Sequence, residues 1–349
     1  MAPTTTKAWK VEGKNGFDSL KFHEDAKVPE IGDKDVLLKI HAASLNYRDL
    51  IIPMGKYPFP MKNNIVPGSD GAGTIEAVGK HVTRFKPGDK VVTLFNQGHI
   101  AGSLDRQILD TGLGGALDGT LREYGVFDEA GLVPAPQNLD FLEASTLSCA
   151  ALTAWNALYG LESRSLKPGQ YVLTQGTGGV SIFAVQFAKA AGAKVIATTS
   201  SASKAEVLKK LGADHVINYK ETPNWGEEAA KLTPGHKGVH HVVEVGGPTT
   251  MAQSLKAVAI DGVISIIGFL GGMDKNQPTF LDCLNNICTV RGVLVGSRLQ
   301  MEDMVAAIEA NDLHPVVDEK VFELKDLKEA YQYMWEQKHF GKLTVKVAS

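Results

Sequence analysis

Two patterns of hydrophobic and polar positions divide the chain of 349 residues. In the first part, short alternating runs such as DVLLKIHAASL and KVVTLF are separated by KPGD and VPGSDG turns, which predicts a strand-rich, irregular domain. From residue 171 onward, YVLTQ, GGVSIFAVQFAKAAG, KVIATT, SKAEVLKKLGA and HVINY alternate apolar strand patterns with helical ones. This alternation predicts a parallel sheet covered by helices on both faces.

A helical pattern at residues 139–160 is predicted to join the two domains. The last stretch, VFELKDLKEAYQYMWEQKHFGKLTVKV, predicts a helix and a closing strand that returns to the first domain. We therefore expect a β-rich domain from residues 1–138 and 314–349 and an α/β domain from residues 139–313. The Gly-rich, aperiodic stretch 96–120 is predicted to be a long loop.

Composition limits the possible partners and compartments. The net charge is −3 and no Lys/Arg-rich face stands out, which argues against a nucleic-acid partner. The N-terminal stretch lacks an apolar signal core, and no apolar run reaches the length of a membrane span. Three cysteines do not form a disulfide framework, so we expect a reduced, soluble, cytoplasmic protein.

The strongest chemical signal is the run Gly176-Thr177-Gly178-Gly179-Val180-Ser181, which follows a predicted strand and opens a predicted helix. In this context Gly176 allows a tight turn and Gly178 lets the backbone approach a pyrophosphate, which the helix N-terminus favours. Ser181 replaces the third glycine of the G-x-G-x-x-G pattern and is still small enough for close packing. We therefore predict a dinucleotide site rather than a plain glycine turn.

The residues after the next strand indicate which dinucleotide binds. An NAD site has an Asp or Glu about 20 residues beyond the glycines, bonded to the ribose 2′-hydroxyl. Here the strand runs into Ser200 and Lys204, with no acid before Glu206. Hydroxyls and a lysine suit a 2′-phosphate, so we favour NADPH over NADH. The alternative for Lys204 is a solvated lysine in the first turn of a helix. Tyr219, after the following strand, is predicted to lie beside the adenosine.

Several motifs together resemble the medium-chain dehydrogenase/reductase superfamily over nearly the whole chain: VPGSDGAGTIEAVG, FKPGDKVV, LTAW, GTGGVSIFAVQFAKAAGAKVIATTSSASK, LGADHVINY and FGKLTVKV. The resemblance implies a GroES-like catalytic and substrate domain and a Rossmann cofactor domain with a doubly wound parallel sheet. Within the superfamily the sequence is more similar to the zinc-free quinone oxidoreductase and enoyl reductase-like branch than to zinc alcohol dehydrogenases.

The resemblance also defines where zinc members carry their ligands. Asn46 stands where they have a Cys, and Ser69 stands where they have the His of a His-Glu pair. Cys149 matches the third ligand. One thiolate, even with Asp70, does not furnish three protein ligands, so we expect no metal and interpret Cys149 as a small buried residue.

Without a metal, the chemistry favours reduction of a double bond. A carbonyl loses the stabilisation a Lewis acid supplies, whereas hydride addition to an enone or quinone yields an enolate that hydrogen bonds stabilise. The resemblance implies Asn46 and Tyr47 as catalytic residues, with Tyr47 donating a proton, and Tyr57 and Thr153 as substrate-binding residues. From the residues alone, Tyr47 is equally a packed aromatic, Tyr57 a turn residue and Thr153 a helix-interior residue.

Further cofactor contacts are expected from Gly246, Gly268 and Phe269, which follow successive strands, because ligands of doubly wound sheets bind beyond the strands' carboxyl ends. The resemblance adds Lys342 as a cofactor-binding residue. It also implies a homodimer formed through the edge strand 289–295, because an apolar edge strand needs covering.

We therefore expect an NADPH-dependent reductase of small electrophiles with an activated double bond: enones, enals, quinones or enoyl groups. A zinc-free alcohol dehydrogenase or aldehyde reductase is the alternative within the same class. A non-catalytic protein that binds NADPH is the alternative of another class.

Overall fold

The computed structural model describes residues 3–59 and 61–348 of the chain. Internal contacts divide the chain into two units: unit 1 comprises Met1–Leu152 and Gly296–Ser349, and unit 2 comprises Thr153–Val295. Unit 1 is thus built from two separate stretches of chain. Within the described residues, no helix is both long enough and apolar enough to cross a membrane.

The strands are, in chain order, β1 Thr5–Val11, β2 Leu20–Lys27, β3 Asp35–Ser44, β4 Asp70–Val78, β5 Lys90–Thr93, β6 Tyr124–Asp128, β7 Leu132–Pro134, β8 Tyr171–Gln175, β9 Lys194–Thr199, β10 His215–Asn218, β11 Val239–Glu244, β12 Val258–Ile266, β13 Thr289–Gly292, β14 Phe322–Glu323 and β15 Thr344–Lys346. The α-helices are α1 Tyr47–Ile51, α2 Arg106–Leu109, α3 Phe141–Ala144, α4 Leu152–Tyr159, α5 Gly179–Ala190, α6 Ala202–Lys210, α7 Trp225–Lys231, α8 Met251–Ala257, α9 Leu281–Asn286, α10 Arg298–Ala310 and α11 Leu327–Trp335.

Unit 1 is organised around β3, a ten-residue strand with a largely buried sequence, DVLLKIHAAS. Its sheet has the order β14-β15-β3-β4-β5-β7, with β6 also paired to β3. The antiparallel ladder of β3 and β4 sets Ser44 opposite Asp70, and the ladder of β15 and β3 sets Thr344 opposite the same Ser44. The ends of three strands that are distant in sequence therefore meet at one point of unit 1.

Unit 2 contains a parallel sheet with the order β10-β9-β8-β11-β12-β13. Numbered within the unit, this is the doubly wound order 3-2-1-4-5-6. The central strand YVLTQ is buried from its second residue onward, as expected for a strand covered on both faces. The predicted fold class, a GroES-like domain with a doubly wound parallel-sheet domain, is confirmed.

The divisions of the chain differ from the predicted domain boundaries. Residues 139–152 and 296–313 group with unit 1, not with the α/β unit. The reason is packing: α3 lies against β3, β4 and β15, and α10 lies against β7. Helical periodicity identifies a helix but does not say which sheet its apolar face covers. The predicted loop 96–120 also contains one short helix, α2.

Candidate active site

A buried lysine lies at the meeting point of strands in unit 1. Lys342 is 3% exposed, and its Nζ donates to the backbone oxygen of Leu45 at 2.8 Å. The same Nζ donates to Oδ1 of Asn46 at 2.6 Å and to Oδ2 of Asp70 at 3.3 Å. An ammonium group has three N–H donors and no acceptor, so these contacts use all of its hydrogen-bonding capacity.

Local chain geometry brings Lys342 to this point. Gly341 has a φ of 70°, and a Cβ added there would lie 2.3 Å from the oxygen of Val316, so this position requires glycine. Beyond Lys342 the chain runs beside β3, where the N–H of Leu45 donates to the oxygen of Leu343 at 2.9 Å. The FGK motif near the C-terminus therefore has a structural role as the entry to β15.

Asp70 is the anionic partner of this lysine and is fully buried. Ser44 donates its hydroxyl to Oδ2 of Asp70 at 2.9 Å, and Ser69 donates its hydroxyl to Oδ1 at 2.7 Å. With Lys342, three donors converge on one carboxylate, which is what a charge removed from water requires. Ser69, at the position where zinc members have His, is thus engaged with its own neighbour.

The Asn46 side chain is 9% exposed, and its amide is only half satisfied. Oδ1 accepts from Lys342, whereas the buried Nδ2 has no hydrogen-bond partner among the described residues. The backbone of Asn46 is held separately, because its N–H donates to Oδ2 of Asp49 at 2.8 Å. The Nδ2 group is therefore a donor that the described part of the protein leaves open.

A second cation, Arg48, is enclosed by aromatic rings. Its guanidinium carbon lies 4.7 Å from the ring centroids of both Tyr57 and Phe95. Nε donates to the Tyr57 hydroxyl at 3.2 Å, and Nη1 donates to the oxygen of Leu113 at 2.9 Å. Burial raises the pKa of Tyr57, although Arg48 acts in the opposite direction. The phenol therefore keeps its proton, and because its oxygen accepts from Arg48, its O–H is left for another acceptor.

Two other predicted side chains, those of Tyr47 and Thr153, lie outside this cluster of buried polar groups. Tyr47, the first residue of α1, is 39% exposed, and its hydroxyl has no hydrogen-bond partner among the described residues. Thr153 belongs to unit 2 and is buried in α4. Unit 1 therefore brings together Asn46, Tyr57 and Lys342 from the predicted set, with Tyr47 at the exposed start of the same helix.

The residues at the zinc-ligand positions do not fit a catalytic zinc. Cys149 lies in a π-helical turn, Leu147–Ala151, and burial, together with the Asp70 carboxylate, raises its pKa to about 12. This shift favours the protonated thiol over the thiolate, which is the form that binds zinc. The other two positions carry an amide and a hydroxyl that are tied to Lys342 and Asp70. In the described part of the chain, no group of three or more His, Cys, Asp or Glu has the arrangement of a metal site.

In unit 2, the Gly-rich loop connects β8 to the twelve-residue helix α5. Gly176 has a φ of 71°, and a Cβ added at Gly176 or Gly178 would meet no atom within 4 Å. Ser181, at the third glycine position, donates its hydroxyl to the oxygen of Gln175 at 2.6 Å and fastens helix to strand. Open backbone before a free helix N-terminus fits a dinucleotide pyrophosphate. Thr177, Gly179 and Val180 complete this loop and the first turn.

The residues predicted for the adenosine end lie at the same carboxyl edge of the sheet. The N–H of Tyr219 donates to the oxygen of Thr199, the last residue of β9, at 3.0 Å, so Tyr219 lies beside the turn that contains Ser200. Ser201 caps α6, whose first turn includes Lys204. The Lys204 side chain has no partner among the described residues. No carboxylate lies in the chain between Thr199 and Lys204.

The glycines after β11 and β12 lie side by side. The N–H of Leu270 donates to the oxygen of Val245 at 3.1 Å, which draws Gly268 and Phe269 alongside Gly246. Phe269 is exposed. These three predicted positions therefore lie on two hydrogen-bonded segments at the carboxyl edge of unit 2.

A buried Gln–Glu pair that supports this edge was not predicted. Glu244 accepts from Nε2 of Gln175 at 2.7 Å and from the N–H groups of Gly246 and Gly247 at 2.9 Å each. The hydroxyls of Thr250 and Ser254 also donate to it. The sequence contains one signal for this pair, the acidic residue Glu244 at the end of the strand pattern HHVVE. A charge in such a strand needs buried partners, but the sequence does not identify them.

Comparison with known proteins agrees with this fold. Residues 32–137 match the alcohol dehydrogenase GroES-like domain, and residues 179–310 match the zinc-binding dehydrogenase family. A zinc-type alcohol dehydrogenase-like protein of Schizosaccharomyces pombe is 51% identical, covering 95% of this chain and 96% of its own. A quinone oxidoreductase of Sus scrofa is 28% identical, covering 91% of this chain and 90% of its own.

Among solved structures, one from Sinorhizobium meliloti has a TM-score of 0.90 and 40% identity, covering 99% of this chain and all of its own. The chain belongs to the medium-chain dehydrogenase/reductase superfamily, as the sequence motifs predict. It is therefore an oxidoreductase of a family that uses a nicotinamide cofactor.

Proposed function

We propose that the protein is a zinc-independent, NADPH-dependent reductase that transfers hydride to an activated C=C bond of an enone, enal, quinone or enoyl group. The observation that carries the proposal is the Lys342 ammonium, which holds Asn46 and Asp70 in the place where a metal and its ligands would otherwise be needed. A donor set of amide, hydroxyl and protonated thiol offers hydrogen bonds rather than coordination.

The chemistry that follows needs hydrogen-bond donors rather than a Lewis acid. Hydride adds to the β-carbon, the π electrons shift to the carbonyl oxygen, and an enolate forms. With an enone, enal or enoyl group, a proton then adds to the α-carbon, which leaves a saturated carbonyl compound and oxidised cofactor; with a quinone, protons on the oxygens give the hydroquinone. Fixed N–H and O–H donors directed at the developing oxyanion stabilise it more than they stabilise the neutral substrate.

In this proposal Asn46 and Tyr57 supply the hydrogen bonds to the oxygen, since each has a donor that the protein does not use. Tyr47, exposed at the start of α1, or water supplies the proton. The glycine loop, Ser200, Lys204 and Tyr219 hold the dinucleotide. The absence of an acid after β9 and the unpaired Lys204 support NADPH over NADH.

The names of the relatives favour a second candidate, a zinc-free alcohol dehydrogenase or aldehyde reductase. One solved structure with 34% identity and a TM-score of 0.87 is an NAD-dependent alcohol dehydrogenase. The donors at Asn46 and Tyr57 would serve a carbonyl oxygen as well as an enolate oxygen. A non-catalytic NADPH-binding protein is the remaining candidate, and it leaves the open donor at Asn46 without a use.

One substrate separates these functions. EDTA-treated protein is given NADPH and a 2-alkenal, and the product is identified by mass and retention time. A saturated aldehyde supports the proposed reduction of the double bond. An allylic alcohol supports carbonyl reduction instead. If neither 2-alkenals nor quinones cause oxidation of NADPH, while NADPH still binds, the non-catalytic candidate is favoured.

We also propose that the protein forms a homodimer through the β13 edge of unit 2. β13 is the last strand of its sheet. In the segment before it, Phe280, the N-cap of α9, is 84% exposed and Leu284, in α9, is 72% exposed. Large exposed apolar side chains beside an open strand edge indicate an interface. Sedimentation should give about twice the chain's 37.4 kDa. Leu284→Asp should shift the protein to the chain mass, and a monomeric wild type would contradict the proposal.

A further inference from the structure

We infer that Lys342 is a positioning residue that orients the Asn46 amide, so that the Nδ2 hydrogens are kept for the carbonyl oxygen of the substrate. The inference rests on the proposed function and assigns to Lys342 a role different from the cofactor contact that family resemblance implies.

The orientation of the amide follows from the chemistry of its neighbour. A 180° rotation of an asparagine amide exchanges its oxygen and nitrogen with almost no change of shape. The hydrogen-bonding environment therefore decides which position the oxygen takes. Nζ of Lys342 lies 2.6 Å from Oδ1 and is a pure donor. The reversed amide would set N–H groups against an ammonium group in a buried place, which is unfavourable. Lys342 therefore allows only the orientation with Nδ2 away from it.

The ammonium is unable to serve the substrate or a phosphate directly. Leu45, Asn46 and Asp70 accept its three hydrogens. Asp70 is in turn held by the hydroxyls of Ser44 and Ser69. The chain of contacts runs from these serines through Asp70 and Lys342 to Asn46, and ends at the Asn46 Nδ2, which has no partner among the described residues.

That open donor is the second observation that indicates a ligand. Asn46 is nine-tenths buried, and a buried N–H without an acceptor destabilises a protein unless a ligand supplies one. An enolate oxygen accepts a stronger hydrogen bond than a ketone oxygen, because it carries charge. The bond to Nδ2 therefore strengthens as hydride is transferred, and the positive charge of Lys342 behind the amide acts in the same direction.

A double-mutant cycle tests whether Lys342 acts through Asn46. The variants are Asn46→Leu, Lys342→Met and the double variant, assayed for kcat, KM and NADPH affinity by fluorescence with an enal as substrate. Asn46→Leu should lower kcat by about 100-fold, the typical loss for one oxyanion donor. Lys342→Met should lower kcat by about tenfold, and it should cause no further loss in the Asn46→Leu background, since residues that act as a unit are not additive.

Three kinetic results would overturn the inference. One is additivity of the two losses, which would show that Lys342 acts independently of Asn46. Another is an NADPH dissociation constant that rises in Lys342→Met by the same factor as kcat/KM falls, which would make Lys342 a cofactor-binding residue. Unchanged kcat in Lys342→Met would also contradict the positioning role.

Folding effects are separated by two further variants. Lys342→Met leaves Asp70 without its cation, so Lys342→Met/Asp70→Asn removes both charges and should recover the melting temperature. This double variant should keep the low kcat, because the Asn46 amide still lacks the ammonium group that orients it. Lys346→Met, an exposed lysine on β15, is the matched control and should retain wild-type kcat. Recovery of kcat together with stability would show that Lys342 has only a structural role.

A readout without turnover separates this inference from the proposed function. The side-chain ¹H–¹⁵N pair of Asn46 is identified in the NADPH-bound protein by its loss in Asn46→Leu. Lys342→Met should shift that pair, and Lys346→Met should not. If the wild type reduces none of the electrophiles, the proposed function has failed, and the NMR result still decides the inference. An unshifted Asn46 pair in Lys342→Met would overturn it.

Discussion

The Nζ atom of Lys342 lies 2.6 Å from the side-chain oxygen of Asn46, although 296 positions separate the two residues in the chain. The contact exists because β15 lies against β3, and Asn46 follows the end of β3. It gives unit 1 a buried cation that is bonded to Asn46, which stands in place of a zinc ligand, and to Asp70, which holds Ser69. The first question for experiment is therefore which side chains stabilise the oxyanion.

Tyr57→Phe is expected to reduce kcat/KM for an enal by about ten- to a hundredfold, because it removes a fixed O–H donor. Tyr47→Phe should have a smaller effect, since Tyr47 is exposed and water can replace its proton. Steady-state kinetics of both variants on the same substrate provide the comparison. A larger loss in Tyr47→Phe would make Tyr47 the main donor to the oxyanion and contradict the role proposed for Tyr57.

Cys149 should behave as an unreactive thiol in the native protein. Burial and the Asp70 carboxylate raise its pKa to about 12, so at pH 8 its thiolate fraction is expected to be at least about a hundredfold below that of an ordinary cysteine. Mass spectrometry after brief iodoacetamide treatment should find Cys283 labelled before Cys149, with both labelled in urea.

Cys149→Ala should retain activity after EDTA treatment. Loss of activity that added zinc restores in the wild type would contradict the metal-free proposal.

Lys204→Ala should change cofactor preference. Removing a charge-assisted contact to the 2′-phosphate is expected to lower kcat/KM for NADPH by about ten- to a hundredfold, while the value for NADH stays the same. Lys209→Ala is the control on the same helix, because Lys209 is paired with Glu206 at 2.8 Å. An equal loss with both cofactors, or none with either, would contradict a 2′-phosphate role for Lys204.

Asp214 links pH to the stability of unit 2. Burial of this carboxylate opposes ionisation, but Lys189 at 2.8 Å, the N–H of Val195 at 2.8 Å and Lys194 at 2.9 Å outweigh it and hold its pKa down to about 2. The folded pKa is below the ordinary value of 3.8, so the stabilisation is complete above that value and is lost as pH falls through about 2.

Asp214→Asn should therefore lower the free energy of unfolding by about 2 kcal/mol at pH 7. Urea unfolding followed by circular dichroism should give the same difference from the wild type at pH 7 and pH 5, because both lie above the titration window. Asp303→Asn, at an exposed position of α10, is the control. A difference that shrinks between pH 7 and pH 5 would contradict the low pKa of Asp214.

Much of unit 2 could be predicted because its signals are local. The run from Gly176 to Ser181 identifies a turn that needs glycine, and the strand before it is apolar because both of its faces are buried. Alternating strands and helices then predict a parallel sheet, and the structure has one. The partners of Glu244 were not predictable, because Gln175 and Ser254 reach it from other elements.

The sequence by itself determined the superfamily, the two kinds of domain, the glycine loop and the replacement of zinc ligands at positions 46 and 69. Each of these depends on residue type, spacing or hydrophobic period, which can be read directly from the sequence. Only the tertiary structure decided which sheet α3 and α10 cover, and that Lys342 directs its charge at Asn46 and Asp70. The physical reason is that a buried charge takes its partners from whichever strands pack beside it, and strand pairing across hundreds of residues leaves no local pattern in the sequence.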